Sequence, residues 1–286
     1  MPWLCRMLPA IVQSPAPRES SSSGPSIRTF TPPGLSSAVQ GLDDPLIKLA
    51  SGRSLRSRLM PPTQTMRSTM QALLFDLDGT LVDTLGDFVV VLGHVHDRLS
   101  LPRPSREFLL HTIGRGSEHL IRTCLAHAGA GPERFDEAWA LYQQEYTARN
   151  GDHAEVYPGV RETLALLRAR GLPLACVTNK PGPFATELLR RKGLLDAFAH
   201  VFGGEAFARR KPDPMPLLET CRALGTAPAE TWMVGDSRND AEAAHAAGCP
   251  LVLVTYGYNH GEDILHVPAR AHLARLDDFN WSASAS

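Results

Sequence analysis

Ala72-Leu73-Leu74-Phe75-Asp76-Leu77-Asp78-Gly79-Thr80-Leu81-Val82-Asp83-Thr84 is the stretch on which the fold turns. Its four leading apolar residues, Ala72 to Phe75, are enough for a buried strand and too few for a helix. Two carboxylates follow, two residues apart, and then a glycine that lets the backbone turn sharply. Strand side chains repeat with period two, so extended backbone through Asp78 puts Asp76 and Asp78 on the same side. Crowded carboxylates repel each other, and a bound hard cation relieves the repulsion. Asp-Gly is also a common turn dipeptide, so alone the stretch reads equally well as a strand ended by a polar turn. Its partners must decide.

Beyond Thr84 the period lengthens. Phe88, Val91, Leu92, Val95 and Leu99 recur at steps of three and four, as one stripe of a helix. Pro102 and Pro104 punctuate it. Leu109, Leu110 and Ile113 continue in helical spacing, as do Leu120, Ile121, Cys124 and Leu125, with Gly114 and Gly116 as the break between. After the loop Gly129 to Pro132, Phe135 to Tyr146 reads as a helix with Trp139, Tyr142 and Tyr146 on one face. From Tyr157 onward helices and short apolar strands alternate. Helices are expected over Val160–Ala169, Phe184–Lys192, Pro214–Leu224 and Ala241–Ala247. Strands are expected over Leu172–Val177, Val201–Phe202, Trp232–Val234 and Pro250–Thr255. Such alternation means right-handed crossovers and a parallel sheet covered on both faces. The strand 72–75 has no sheet of its own and joins this one. The expected fold is α/β: a doubly wound, Rossmann-like parallel sheet formed by residues 70–84 and 157–286, with an all-helical cap, 85–156, inserted into it.

Residues 1–69 are different material, rich in Ser, Pro and Arg, with Glu19, Asp43 and Asp44 as their acidic residues. Without sustained apolar periodicity they are expected to be a disordered extension. They read either as a transit-like segment or as sequence upstream of a later start at Met60, Met66 or Met70. Of 286 residues, 43% are hydrophobic and 21% charged, and the net charge of -1 gives no basic field for nucleic acid. No apolar run reaches the roughly 18 residues a membrane helix needs. Cys5, Cys124, Cys176, Cys221 and Cys249 are scattered, without metal-like spacing, which favours reduced thiols and a cytoplasmic setting.

In open parallel sheets, ligands sit beyond the carboxyl ends of the strands. Four expected strands are followed by Asp76 and Asp78; by Thr178, Asn179 and Lys180; by Arg210-Lys211-Pro212-Asp213-Pro214; and by Gly235-Asp236-Ser237-Arg238-Asn239-Asp240. Taken singly, Thr178 is equally a helix cap, Lys211 a surface charge, and Asp236 and Asp240 favourable charges at a helix start. Together they suit phosphoryl transfer, in which a cation, an ammonium and backbone N–H groups neutralise the phosphate. Mg²⁺ fits such oxygen donors.

In order and spacing these four motifs resemble those of haloacid-dehalogenase-like hydrolases over about residues 70–275. Val156 to Val160, Arg210 to Leu217 and Val254 to Asn259 further resemble the phosphoglycolate phosphatase branch. The resemblance implies Asp76 as nucleophile, forming an aspartyl-phosphate, and Asp78 as the acid and then base. It implies Mg²⁺ on the Asp76 carboxylate, the Asp78 carbonyl and Asp236, with Asp240 acting through water or through Lys211. Gly79, Thr178, Asn179 and Lys211 would surround the phosphoryl group. Arg115, between two glycines of the cap, is the candidate for a substrate carboxylate. The expected partner is a small-molecule phosphate ester, with neither nucleic acid nor membrane. Other small phosphates (a sugar phosphate, a nucleotide, pyrophosphate), a sugar-phosphate mutase and a phosphate sensor are the competing readings.

Overall fold

The computed structural model describes residues 70–281, all within one compact unit. The stretch 1–69, with the alternative starts Met60 and Met66, lies outside the described residues.

β1 (Ala72–Phe75) is fully buried, and its side chains divide between the two faces of the sheet. Leu73 and Phe75 join one apolar cluster and Leu74 the other. The chain then turns into β2 (Val82–Asp83) and enters α1 (Leu85–Arg98), α2 (Arg106–Leu110), α3 (Ser117–His127) and α4 (Phe135–Arg149). These four helices enclose a cluster containing Phe88, Val91, Leu92, Ile113, Ile121 and Tyr146, so the expected stripes do face one another. Along α4 the rings of Trp139, Tyr142 and Tyr146 follow in series, with centroids 5.9 and 5.2 Å apart.

The chain returns through β3 (Glu155–Val156), which pairs antiparallel with β2. Sequence reading missed this ribbon, because two-residue strands carry no periodicity. It also places 155–156 in the root of the cap rather than in a helix.

The remaining elements are α5 (Val160–Ala169), β4 (Leu174–Val177), α6 (Gly182–Arg191), β5 (His200–Phe202), α7 (Met215–Leu224), β6 (Thr231–Gly235), α8 (Arg238–Ala247), β7 (Leu251–Val254) and β8 (Ala271–Leu273). The six-stranded sheet runs β5-β4-β1-β6-β7-β8 with every pairing parallel. β1 is thus interior, between β4 and β6, as expected of a doubly wound sheet. Helices α5 and α6 pack on the face bearing Phe75, and α7 and α8 on the face bearing Leu74. The edge strand β8 was not foreseen, since Ala271-His272-Leu273 is too short and mixed to signal a strand. The α8 helix begins at Arg238, three residues earlier than its apolar pattern indicates, because polar groups fill its first turn.

Candidate active site

The backbone ladder extends past β1 by one residue: Asp76 N–H donates to the Val234 carbonyl at 3.0 Å. This fixes Asp76 against β6. The Leu77 carbonyl then accepts from the N–H groups of Thr80, Leu81 and Val82, which reverses the chain within a few residues. Asp76 and Asp78 face one small cavity, together with Thr178, Asn179 and Lys180 from the end of β4. Phe88, Ile113, Gly114, Gly116, Ser117 and Leu120 supply its other wall, from the cap.

Lys211 is 3% exposed, and its ammonium lies 2.9 Å from Asp76 Oδ1 and 2.7 Å from Asp240 Oδ1. Burial alone would lower its pKa, but the Asp240 and Asp76 carboxylates outweigh that and raise it. Asp240 Oδ2 accepts from Ser237 Oγ at 2.8 Å and from the backbone N–H groups of Ser237 and Asp236 at 3.1 and 3.3 Å. Asp240 is therefore occupied by Lys211 and by the first turn of α8.

Asp236, at the end of β6, accepts from Thr80 Oγ1 at 2.7 Å and from the Tyr258 N–H at 2.6 Å. Burial, then Asp240 and Asp76, raise its pKa well above the ordinary carboxylate value. Burial also pushes Asp76 up to about 6, against the pull of Lys211. Oxygen atoms of Asp76, Asp236 and Asp240 all lie within 4.8 Å of one another, and all three residues are buried. Asp76 Oδ1 has no hydrogen-bond donor in aligned geometry, the Lys211 contact being an ion pair. Buried hard oxygen donors, with carboxylates under mutual repulsion, fit a divalent cation such as Mg²⁺.

Gly79 contributes clearance rather than a donor. It has φ +88°, and a Cβ there would stand 2.4 Å from Asp236 Oδ2. Its N–H already donates to the Val82 carbonyl. The Asn179 side-chain amide bonds the Gly114 carbonyl at 3.0 Å and the Lys211 carbonyl at 2.9 Å, and Asn239 bonds the same Gly114 oxygen at 3.2 Å. Two core asparagines therefore hold the cap loop 113–116 over the site. Arg115 is exposed and does not line the Asp76 cavity. Instead it borders a neighbouring cleft with Arg210, Lys211, Arg238 and His260.

Sequence reading left three contributors without a role. Lys180 pairs with Asp78. Asn239 helps to hold the cap loop. Tyr258 bonds Asp236 through its N–H, while its hydroxyl accepts from the Thr84 and Leu85 N–H groups at 2.7 and 3.0 Å. The visible signal for Tyr258 is the run Val254 to Asn259, distinctive but without a chemical partner in the sequence.

The family model for haloacid dehalogenase-like hydrolases matches residues 73–254. A phosphoglycolate phosphatase of Thiobacillus denitrificans is 40% identical over 210 residues, covering 72% of this chain and 92% of the relative. One from Chromobacterium violaceum is 40% identical over 192 residues, covering 66% and 86%. The crystal structure of a predicted phosphoglycolate phosphatase from Haemophilus somnus superimposes with a TM-score of 0.70 at 32% identity, covering 73% of this chain and 96% of that one.

Proposed function

The chain belongs to the haloacid dehalogenase-like hydrolases, and from that premise we propose that it is a Mg²⁺-dependent phosphomonoesterase converting 2-phosphoglycolate and water to glycolate and phosphate. The observation that carries this reading is Asp76, which shares a pocket with Asp78 and Thr178 while its carboxylate pairs with Lys211 at 2.9 Å and lies within 4.8 Å of an Asp236 oxygen. Relatives bearing the phosphoglycolate phosphatase name, matched over 92% and 86% of their own length, support the substrate.

In this reading Asp76 attacks phosphorus, forming a carboxylate oxygen–phosphorus bond while the ester oxygen leaves. Asp78 gives its proton to the departing alkoxide. It then takes one from the water that hydrolyses the aspartyl-phosphate, restoring Asp76. Lys211, the Thr178 hydroxyl and the Asn179 N–H hold the phosphoryl oxygens. Gly79 leaves room for Asp236, and Asp240 keeps Lys211 directed at Asp76. The Asp76 carboxylate, the Asp78 carbonyl and Asp236 would hold Mg²⁺, which when bound supplies charge neutralisation at the phosphoryl oxygens. Arg115, in the neighbouring cleft, would attract the second anionic group of an approaching substrate.

We take residues 85–156 as the cap and 70–84 with 157–286 as the catalytic core. Among the described residues, no helix is long and apolar enough to cross a membrane. The four described cysteines are buried free thiols, which supports a reducing, cytoplasmic compartment.

A Mg²⁺-supplemented panel of 2-phosphoglycolate, sugar phosphates, nucleotides and pyrophosphate tests the proposal. Phosphate release should be fastest on 2-phosphoglycolate. Equal release across the panel would overturn that substrate, and isomerised sugar phosphate without release would overturn hydrolysis.

A further inference from the structure

A second buried lysine lines the same cavity as the nucleophile, and the phosphoryl chemistry above does not use it. Lys180 is 4% exposed and sits two residues beyond Thr178. Its ammonium donates to both oxygens of Asp78, at 2.9 and 3.2 Å, and to the Tyr146 hydroxyl of α4 at 2.6 Å. It also lies 4.8 and 4.7 Å from the ring centroids of Phe88 in α1 and Tyr146. Burying an ammonium costs several kcal/mol unless it is paired and hydrogen-bonded, so this placement is specific. Asp78 Oδ1 also accepts from Thr84 Oγ1 at 2.8 Å, at the residue where the chain enters the cap. Asp78 is therefore held by two groups, a core lysine anchored on the cap and the threonine at the cap's root.

We propose that Lys180 is a positioning residue: it fixes the Asp78 carboxyl at the leaving-group oxygen and makes that alignment depend on cap helix α4 through Tyr146. Without it Asp78 keeps one side-chain donor, Thr84, and is free to turn about its terminal torsion. The cap wall of the cavity is largely apolar, with Phe88, Ile113 and Leu120, and its Ser117 hydroxyl is paired with the Tyr142 hydroxyl at 3.1 Å. This inference rests on the reading of Asp78 as the proton carrier. Lys180 touches Asp78 rather than the phosphoryl group in this geometry, so its loss should impair proton delivery rather than phosphate binding.

Leaving groups separate these effects, because an alkoxide needs a proton to depart and p-nitrophenolate does not. In Lys180→Met, kcat on 2-phosphoglycolate should fall about 100-fold or more, the scale of general acid–base catalysis, with KM within about threefold. With p-nitrophenyl phosphate, rapid mixing should show a burst of about one equivalent of nitrophenolate at near wild-type rate, followed by slow turnover. Tyr146→Phe, which keeps the ring and its packing, should show the same pattern with a kcat loss of about tenfold. Asp78→Asn is the reference.

If Asp78→Asn shows this leaving-group dependence and Lys180→Met does not, the inference fails alone. Equal loss of the burst and of 2-phosphoglycolate turnover in Lys180→Met would likewise overturn it, as would unchanged turnover in Tyr146→Phe. If Asp78→Asn itself lacks the dependence, the reading of Asp78 fails and the inference with it. Wild-type turnover of 2-phosphoglycolate, measured first, reports separately on the proposed substrate.

Discussion

Asp76 and Lys211 stand 2.9 Å apart, the proposed nucleophile against a phosphate-holding group, and each gives a sharp test. Asp76→Asn keeps the volume and removes the nucleophilic oxygen, so phosphate release should disappear while the circular dichroism spectrum stays native. Measurable turnover would sink the assignment. Lys211→Ala should lower kcat by at least about 100-fold, because the ammonium contact strengthens as charge develops on the transferring group. It also leaves Asp76 and Asp240 buried without their cation, so a lowered melting temperature should accompany the loss. Asp76, Asp78 and Asp236 were legible in the sequence because each follows closely on an apolar strand, where the chain has little freedom to carry it elsewhere; Lys211 was legible from the run Arg210 to Pro214 before α7. The role of Lys180 was not. Its partners Asp78 and Tyr146 are 102 and 34 residues away, and no periodicity relates them.

Between the residues and the fold lies the loop after β7, which joins the carboxylate centre to the root of the cap. Helix α1 has no side-chain cap of its own at Thr84. The Tyr258 hydroxyl satisfies the N–H groups of Thr84 and Leu85 in its place. Tyr256 donates to the Thr80 carbonyl at 2.9 Å, and a Cβ at Gly257 would lie 2.2 Å from that of Asp236. Tyr258→Phe should cost about 1–2 kcal/mol, the usual worth of a lost cap, read as a lower denaturation midpoint. A midpoint equal to wild type would show that solvent replaces the hydroxyl. Helix periods were readable for α1, α3, α4 and α5, where apolar stripes decide burial. The start of α8 was hidden because Ser237 and Asp240 exchange local polar contacts, while the apolar residues begin only at Ala241.

For the molecule as a whole, the buried carboxylates couple metal, pH and stability. In the metal-free protein burial holds Asp76 near 6 and Asp236 well above its ordinary value. The folded chain then keeps protons that the unfolded chain releases. The stability these groups contribute is present below their unfolded value of 3.8 and is lost as pH rises through about 6 for Asp76. A cation competes with those protons, so the rise in melting temperature from Mg²⁺ over EDTA should be larger at about pH 7.5 than at about pH 5. An equal or larger rise at the lower pH would exclude these carboxylates as the metal site. The sequence by itself determined the α/β class, the inserted helical cap and the four strand-end motifs, because apolar period and chain direction are local properties. Tertiary structure alone decided how side chains meet around the site: Lys180 on Asp78, Tyr258 at the root of α1, the two asparagines on Gly114, and Arg115 in the neighbouring cleft. Those placements depend on how sheet and cap close on each other, and that closure sums contacts between residues far apart in the chain.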